Sequence, residues 1–329
     1  MGPLIFITRK IPEPGMELLG RKCKIRLWDK DKPVPAQTLR EKAKGVEGIL
    51  CLLTDKIDRA VMRAAGPKLK VISTMAVGFD NIDVAEATAR GIFVGNTPGV
   101  LTEATADLTW AVMLALARRI AQGDRMMRGE KFTGWSPTLL LGADFSGRII
   151  GVVGMGRIGQ AVARRARGFG MKIIYHDTRR LAPSDEHELG TRYVALRELI
   201  RVSDFITLHC PLTRETWHLI GSKELAMMKP GAYLLNVARG PVVDEKALVK
   251  ALREKKIAGA GLDVYEHEPR LAPGLAKLDN ALLAPHLGSA SFETRNKMAG
   301  MAAQNLLLGL AGKIPAWCVN PEAKNHRDS

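Results

Sequence analysis

Short β-branched or apolar runs alternate along the chain with segments whose apolar residues recur at helical spacing. In the first hundred residues the runs are LIFIT (4–8), KIRLW (24–28), GILCLL (48–53), KVIST (70–74) and GIFVG (91–95). A second series, RIIGVV, KIIYH, DFITLH, AYLLNV, AGAGLDV and ALLAP, begins after residue 145. Strands that alternate with helices predict a parallel sheet covered by helices, so two series predict two doubly wound α/β units. Between them, Leu101 to Gln122 reads as one helix with Thr102 as N-cap and Glu103 in the first turn. A second long helix, Phe292 to Leu310, follows the last strand. If both helices cross between the units, the C-terminal segment completes the first unit. The predicted division is a discontinuous domain of residues 1–100 and 288–329, with residues 101–287 inserted in it and the active site expected in the cleft between them. The closing PEAKNHRDS (321–329) reads as a polar, mobile tail.

A length of 329 residues agrees with two cores rather than one. The composition, 46% apolar and 25% charged, is that of a soluble globular protein. No run approaches the roughly 18 uncharged apolar residues that span a bilayer. The nearest, from Leu101, is broken by Glu103, Asp107, Arg118 and Arg119. The N-terminus lacks the basic and apolar regions of a secretory signal, so a cytoplasmic protein with no membrane partner is expected. Cys23, Cys51, Cys210 and Cys318 have no CxxC spacing and the seven histidines no HExxH pattern, so no metal is predicted. The formal charge of +15 is dispersed and aromatics make up only 5%, which disfavours nucleic acid and leaves attraction of small anions.

The stretch GVVGMGRIGQAVARRARGFGMKIIYHDTRR (151–180) places Gly154, Gly156 and Gly159 after an apolar strand and at the opening of a helix. That context distinguishes a dinucleotide fingerprint from an incidental glycine turn. Gly154 permits the tight turn, Gly156 lets the backbone approach a pyrophosphate, and Gly159 lets helix and strand pack closely. The helix N-terminus supplies amide donors and a favourable dipole. Asp177 ends the next strand, where a carboxylate can accept from the adenosine ribose hydroxyls. It repels a 2′-phosphate and so favours NAD(H), whereas Arg179 and Arg180 would pair with that phosphate and admit NADP(H).

Three more stretches place useful chemistry just after a strand: Arg239 in LLNVARGPVVDE, Glu268 in GLDVYEHEP and His286 in LLAPHLGSAS. Hydride transfer to a 2-keto acid needs a cation on the carboxylate and keto oxygen, and a proton donor whose charged form is supported by a carboxylate. With AVGFDNIDV (76–84) and NTPGVLTEATADLTWA (96–111), these motifs resemble the D-isomer-specific 2-hydroxyacid dehydrogenases over nearly the whole chain, and most closely the glyoxylate and hydroxypyruvate reductases.

The resemblance implies two Rossmann-like and flavodoxin-like domains, the nucleotide domain inserted in the substrate domain, and a homodimer formed through the nucleotide domain. It implies a small anionic 2-keto or 2-hydroxy acid as substrate, hydride delivery to C2 and His286 as general acid. Arg239 would bind carboxylate and keto oxygen, Glu268 would orient His286, and Val77 and Gly78 would offer amides to the carboxylate. Thr105 would meet a cofactor phosphate, Gly156, Arg157 and Ile158 would line the pyrophosphate, and Val237, Ala238 and Asp263 would lie near the nicotinamide and its ribose, with Gly288 beside His286. Asp263 read alone could equally cap its strand. Close relatives that oxidise phosphite carry a lysine where this chain has Val77, which disfavours that substrate. A short D-3-phosphoglycerate dehydrogenase stays open, as does an NAD(H)-sensing corepressor-like binding protein, since such corepressors retain the triad. In FTGWSPTLLLG (132–142), Trp135 would either reach the neighbouring subunit's site or sit in a dimer core.

Overall fold

The computed structural model describes residues 2–326. Two compact units result. One is built from both ends of the chain, up to Leu101 and from Ala290 onward, and the other is continuous over Thr102–Ser289.

In the first unit, β1 (Leu4–Ile7), β2 (Lys24–Leu27), β3 (Gly48–Cys51), β4 (Val71–Thr74) and β5 (Phe93–Gly95) form a parallel sheet in the order β2-β1-β3-β4-β5. The inner strands GILC and VIST are buried at every position, as strands covered on both faces must be, whereas the edge strand KIRL leaves Lys24 exposed. Helices α1 (Glu13–Gly20), α2 (Ala36–Ala43), α3 (Arg59–Ala65) and α4 (Val84–Ala89) connect the strands. Asp58 caps α3 by accepting from the amides of Ala60 and Val61.

The second unit opens with α5 (Thr102–Ala117) and α6 (Ile120–Arg128). It continues through β6 (Ile149–Val153), α7 (Arg157–Gly168), β7 (Lys172–His176), α8 (Pro183–Leu189), β8 (Thr191–Tyr193), α9 (Leu196–Val202), β9 (Phe205–Leu208), α10 (Ser222–Met227), β10 (Tyr233–Asn236), α11 (Glu245–Arg253), β11 (Gly259–Leu262) and β12 (Ala281–Leu283). Its seven-stranded parallel sheet runs β12-β11-β10-β9-β6-β7-β8. The chain winds outward from β6 to β8, returns to β9 on the other side of β6 and winds out again. The gap between β6 and β9 is therefore a topological switch point, where open α/β sheets bind ligands at the carboxyl ends of the strands. No described helix is long and apolar enough to cross a membrane.

The chain returns to the first unit as α12 (Phe292–Leu310), capped by Ser291, whose hydroxyl accepts from the Thr294 amide. Ala299, Ala302 and Ala303 are fully buried on this helix, and a methyl at Gly309 would press into Val71 at 2.5 Å. Small residues thus let the last helix lie close on the sheet. Asn320, fully buried, then accepts from the Val94 amide at 2.7 Å and donates to Ile92 O and Thr88 Oγ1.

Three expectations fail here. The helix predicted from Leu101 to Gln122 is broken, because the Ala143 amide takes Ala117 O at 3.0 Å and Arg119 adopts a left-handed conformation (φ 54°) before α6 restarts. Thr102 is the first helical residue of α5 rather than the residue before it. The predicted mobile tail folds over Pro321–His326 as a 3-10 turn held by the fully buried Ala323, with the other five residues exposed, and the rest of that stretch lies outside the described residues.

Candidate active site

The glycine turn after β6 is built by contact. Gly154 takes φ +91°, and a methyl there would reach Cys210 N at 2.6 Å, because the turn leans on the backbone that follows β9. A methyl at Gly159 would strike Gly154 O. Gly156 faces open space and precedes α7 without a side-chain cap, so the first amides of a twelve-residue helix stay unengaged by any capping side chain. Arg157 and Ile158 form its first turn, exposed and half-buried. This small-residue cradle at a helix N-terminus fits a pyrophosphate.

Asp177 follows β7. One carboxylate oxygen accepts from the Met155 amide at 2.6 Å, and the other accepts from Thr178 Oγ1 and the Arg179 amide, both at 3.2 Å. The carboxylate therefore braces the glycine turn and retains acceptor capacity for a ribose hydroxyl. Arg180 turns away to Glu186, meeting it through two nitrogens at 2.9 and 2.8 Å.

Arg239 stands after β10 on a turn tied by Asn236. That buried side chain donates to Arg239 O at 2.9 Å and accepts from the Ala238 amide at 3.1 Å. Arg239 Nη1 donates to Ala238 O, and Val237 beside it is buried. Gly240 runs so close to the next loop that a methyl would enter the Tyr265 carbonyl. Gly240→Ala should cost about 3 kcal/mol of stability, since the obstacle is backbone and cannot rotate away. Urea titration with an unshifted midpoint would contradict this.

His286 and Glu268 come together from the segments after β12 and β11. His286 Nδ1 meets Glu268 Oε2 at 3.1 Å, while the Tyr265 amide donates to Glu268 Oε1 at 3.0 Å. Burial pushes the Glu268 carboxyl up, but the hydrogen bond and charge of His286, the Tyr265 amide and the Arg239 charge together hold it below its ordinary 4.5. With Nδ1 committed to the carboxylate, Nε2 is the nitrogen left to exchange a proton. His286 itself has φ 56°. Asp263 holds it there: its backbone carbonyl accepts from the His286 amide, and its carboxylate accepts from the amides of Leu287 (2.6 Å) and Gly288 (2.8 Å). Burial raises the Asp263 carboxyl against those two amides and the His286 charge. Thr105 is buried and donates its hydroxyl to Gly288 O at 3.0 Å, so its proton serves the histidine turn rather than facing outward.

A carboxyl held below its unfolded value stabilises the fold above that value and loses the contribution as pH falls through the folded one. Melting temperatures of the wild type and Glu268→Gln should therefore converge as the solution is acidified below the carboxyl's ordinary 4.5. A gap that does not change with pH would contradict the pairing.

Val77 and Gly78 belong to the other unit, in the loop after β4. Asn96 Nδ2 donates to Val77 O at 2.8 Å, and Asn81 ties the neighbouring loop through Leu52 O and Asp55 O. No hydrogen bond within the described residues engages the Val77 and Gly78 amides.

Sequence reasoning missed Asn236, Asn96 and Glu186. The signal for Asn236 was its place as a polar residue closing the otherwise apolar strand YLLN, immediately before Arg239's turn. Nothing local marked Glu186, which lies six residues from Arg180 on a separate helix.

Comparison with known proteins agrees with this geometry. Residues 110–288 match the model of the D-isomer-specific 2-hydroxyacid dehydrogenase NAD-binding domain. A glyoxylate reductase of Thermococcus litoralis is 51% identical over 326 residues, 98% of each chain. The crystal structure of the TT0316 protein from Thermus thermophilus superposes with a TM-score of 0.89 at 44% identity, covering 96% of this chain and 99% of that one. An NADPH-dependent glyoxylate/hydroxypyruvate reductase of Sinorhizobium meliloti, solved with NADP and malonate, gives 0.84 at 33% identity and 98% coverage of both. A glycine cradle, a braced histidine–glutamate pair and an arginine at the carboxyl ends of one parallel sheet thus accompany full-length likeness, and the chain belongs to the D-isomer-specific 2-hydroxyacid dehydrogenase family.

Proposed function

We propose that the chain is an NAD(P)H-dependent reductase of small 2-keto acids, converting glyoxylate to glycolate and hydroxypyruvate to D-glycerate. The observation that carries the reading is the His286–Glu268 pair, 3.1 Å apart, which leaves Nε2 to deliver a proton. The glyoxylate reductase relatives support the substrate class.

When bound in the glycine cradle, the nicotinamide dinucleotide supplies the hydride that C2 of the substrate receives. Arg239 pairs with the substrate carboxylate and polarises the keto oxygen. His286 gives its Nε2 proton to the keto oxygen, and Glu268 holds the ring in position and balances its charge. Asp263 maintains the turn that presents the ring. The formal charge of +15 attracts both anionic reactants.

The chain acts as a homodimer through the nucleotide-binding unit. Ile120, Met127, Trp135 and Leu141, all in one stretch of the chain, are exposed, Trp135 to 84%, and large apolar side chains left in water are costly on a free monomer. Leu141→Asp should shift the mass in light scattering from two chains to one, and a monomeric wild type would overturn the assignment. We place the enzyme in the cytoplasm, in keeping with four free cysteines.

The direct test follows absorbance at about 340 nm with glyoxylate or hydroxypyruvate and NADH or NADPH. Rapid loss is expected with at least one pair, and no loss with any of the four overturns the reading.

A further inference from the structure

Asp177 is followed by two arginines, and the structure gives them different fates. Arg180 forms a bidentate pair with Glu186, at 2.9 Å from Nε to Oε1 and 2.8 Å from Nη2 to Oε2, and its guanidinium lies 5.8 Å from the centre of the Tyr193 ring. The Tyr175 hydroxyl donates to the same carboxylate at 2.7 Å and accepts from the Leu181 amide at 2.9 Å, so the loop carrying Arg180 is tied to its partner at two points. The hydrogen bonds from Arg180 and Tyr175 draw Glu186 down to about 2, and the pair does not open by protonation near neutrality. The Arg179 side chain is exposed and has no hydrogen bond or ion pair among the described residues, while its amide donates to Asp177.

We propose that Glu186 is a specificity-determining residue for the coenzyme: by holding Arg180 in a bidentate pair it withholds one of two arginines from a 2′-phosphate and biases the site toward NADH over NADPH. This rests on the reading of Gly154 to Asp177 as the dinucleotide site. A 2′-phosphate beside Asp177 needs cationic compensation, and a planar guanidinium provides it best through two parallel hydrogen bonds. Glu186 engages the Nε–Nη2 edge of Arg180 and balances its charge, leaving Arg179 as the arginine of the two with no carboxylate partner among the described residues. Glu186 acts through Arg180 without touching the coenzyme. Glutamine at this position would still accept from Tyr175 but would no longer pair with the guanidinium as an ion.

The test measures dissociation constants of NADH and NADPH by calorimetry on the wild type, Glu186→Gln, Arg180→Ala and the double variant. Glu186→Gln should tighten NADPH about tenfold with NADH changed less than about twofold, and the double variant should lose that gain. Arg180→Ala alone should change NADPH affinity less than about twofold, because the wild type already withholds that side chain. An unchanged ratio of the two constants in folded Glu186→Gln overturns the proposal while leaving the dinucleotide site intact. So does a tenfold loss of NADPH affinity in Arg180→Ala, which decides the matter should Glu186→Gln fail to fold. A wild type that binds neither dinucleotide brings down the site reading and the proposal together.

Discussion

Replacing His286 with alanine is expected to lower kcat for glyoxylate reduction by about a thousandfold, or about 4 kcal/mol of transition-state stabilisation, while the NADH dissociation constant moves less than about twofold. The separation of the two effects follows from the architecture. The imidazole hangs from the segment after β12, whereas the glycine cradle is formed after β6, so removing the ring takes away the proton donor without disturbing the cradle. The backbone at 286 needs care, because φ 56° is a region that alanine occupies less readily than asparagine. His286→Asn is therefore the companion variant: it keeps the turn anchored on Asp263 and still lacks a proton to give. Retained kcat in either variant, or parallel loss of NADH affinity in both, would exclude His286 as the acid.

Arg239→Ala should reduce kcat/KM for glyoxylate by about a thousandfold, through a higher KM and a lower kcat together, because the proposed function has one side chain both bind the carboxylate and polarise the reacting oxygen. Arg239→Lys restores charge without the planar fork and should recover only part of the loss. Full recovery by lysine would mean that charge alone matters. A rise in KM at constant kcat would restrict Arg239 to binding. Arg239 also contributes to holding Glu268 below its ordinary value, so its removal relaxes that carboxyl upward.

The strands and the turns that carry Arg239, Glu268 and His286 were legible because their signals are local. GILC and VIST are short runs without a charged position, and each of Arg239, Glu268 and His286 follows an apolar run within a few residues. The break between α5 and α6 was not legible, since the amide that stops α5 comes from Ala143, twenty-six positions beyond Ala117. Periodicity continues through Arg118 and Arg119, and only a distant donor interrupts it. The same holds for Pro321–His326, whose composition is polar and which follow Asn320, anchored on β5. Arg180 was read as a partner for a phosphate because its neighbour Asp177 was visible, whereas the carboxylate that holds it lies on the far side of an intervening turn.

The hydrogen bonds that close the first unit join residues far apart in the chain: Ser73 to Ala302 over 229 positions, and Val94 to Asn320 over 226. The second unit has no such dependence on the chain ends. During synthesis, Thr102–Ser289 can therefore emerge and fold while the earlier strands still lack the helix that covers one face of their sheet. The sheet made first is completed last, and until α12 arrives the face it covers is an exposed apolar surface for which a ribosome-bound chaperone would compete.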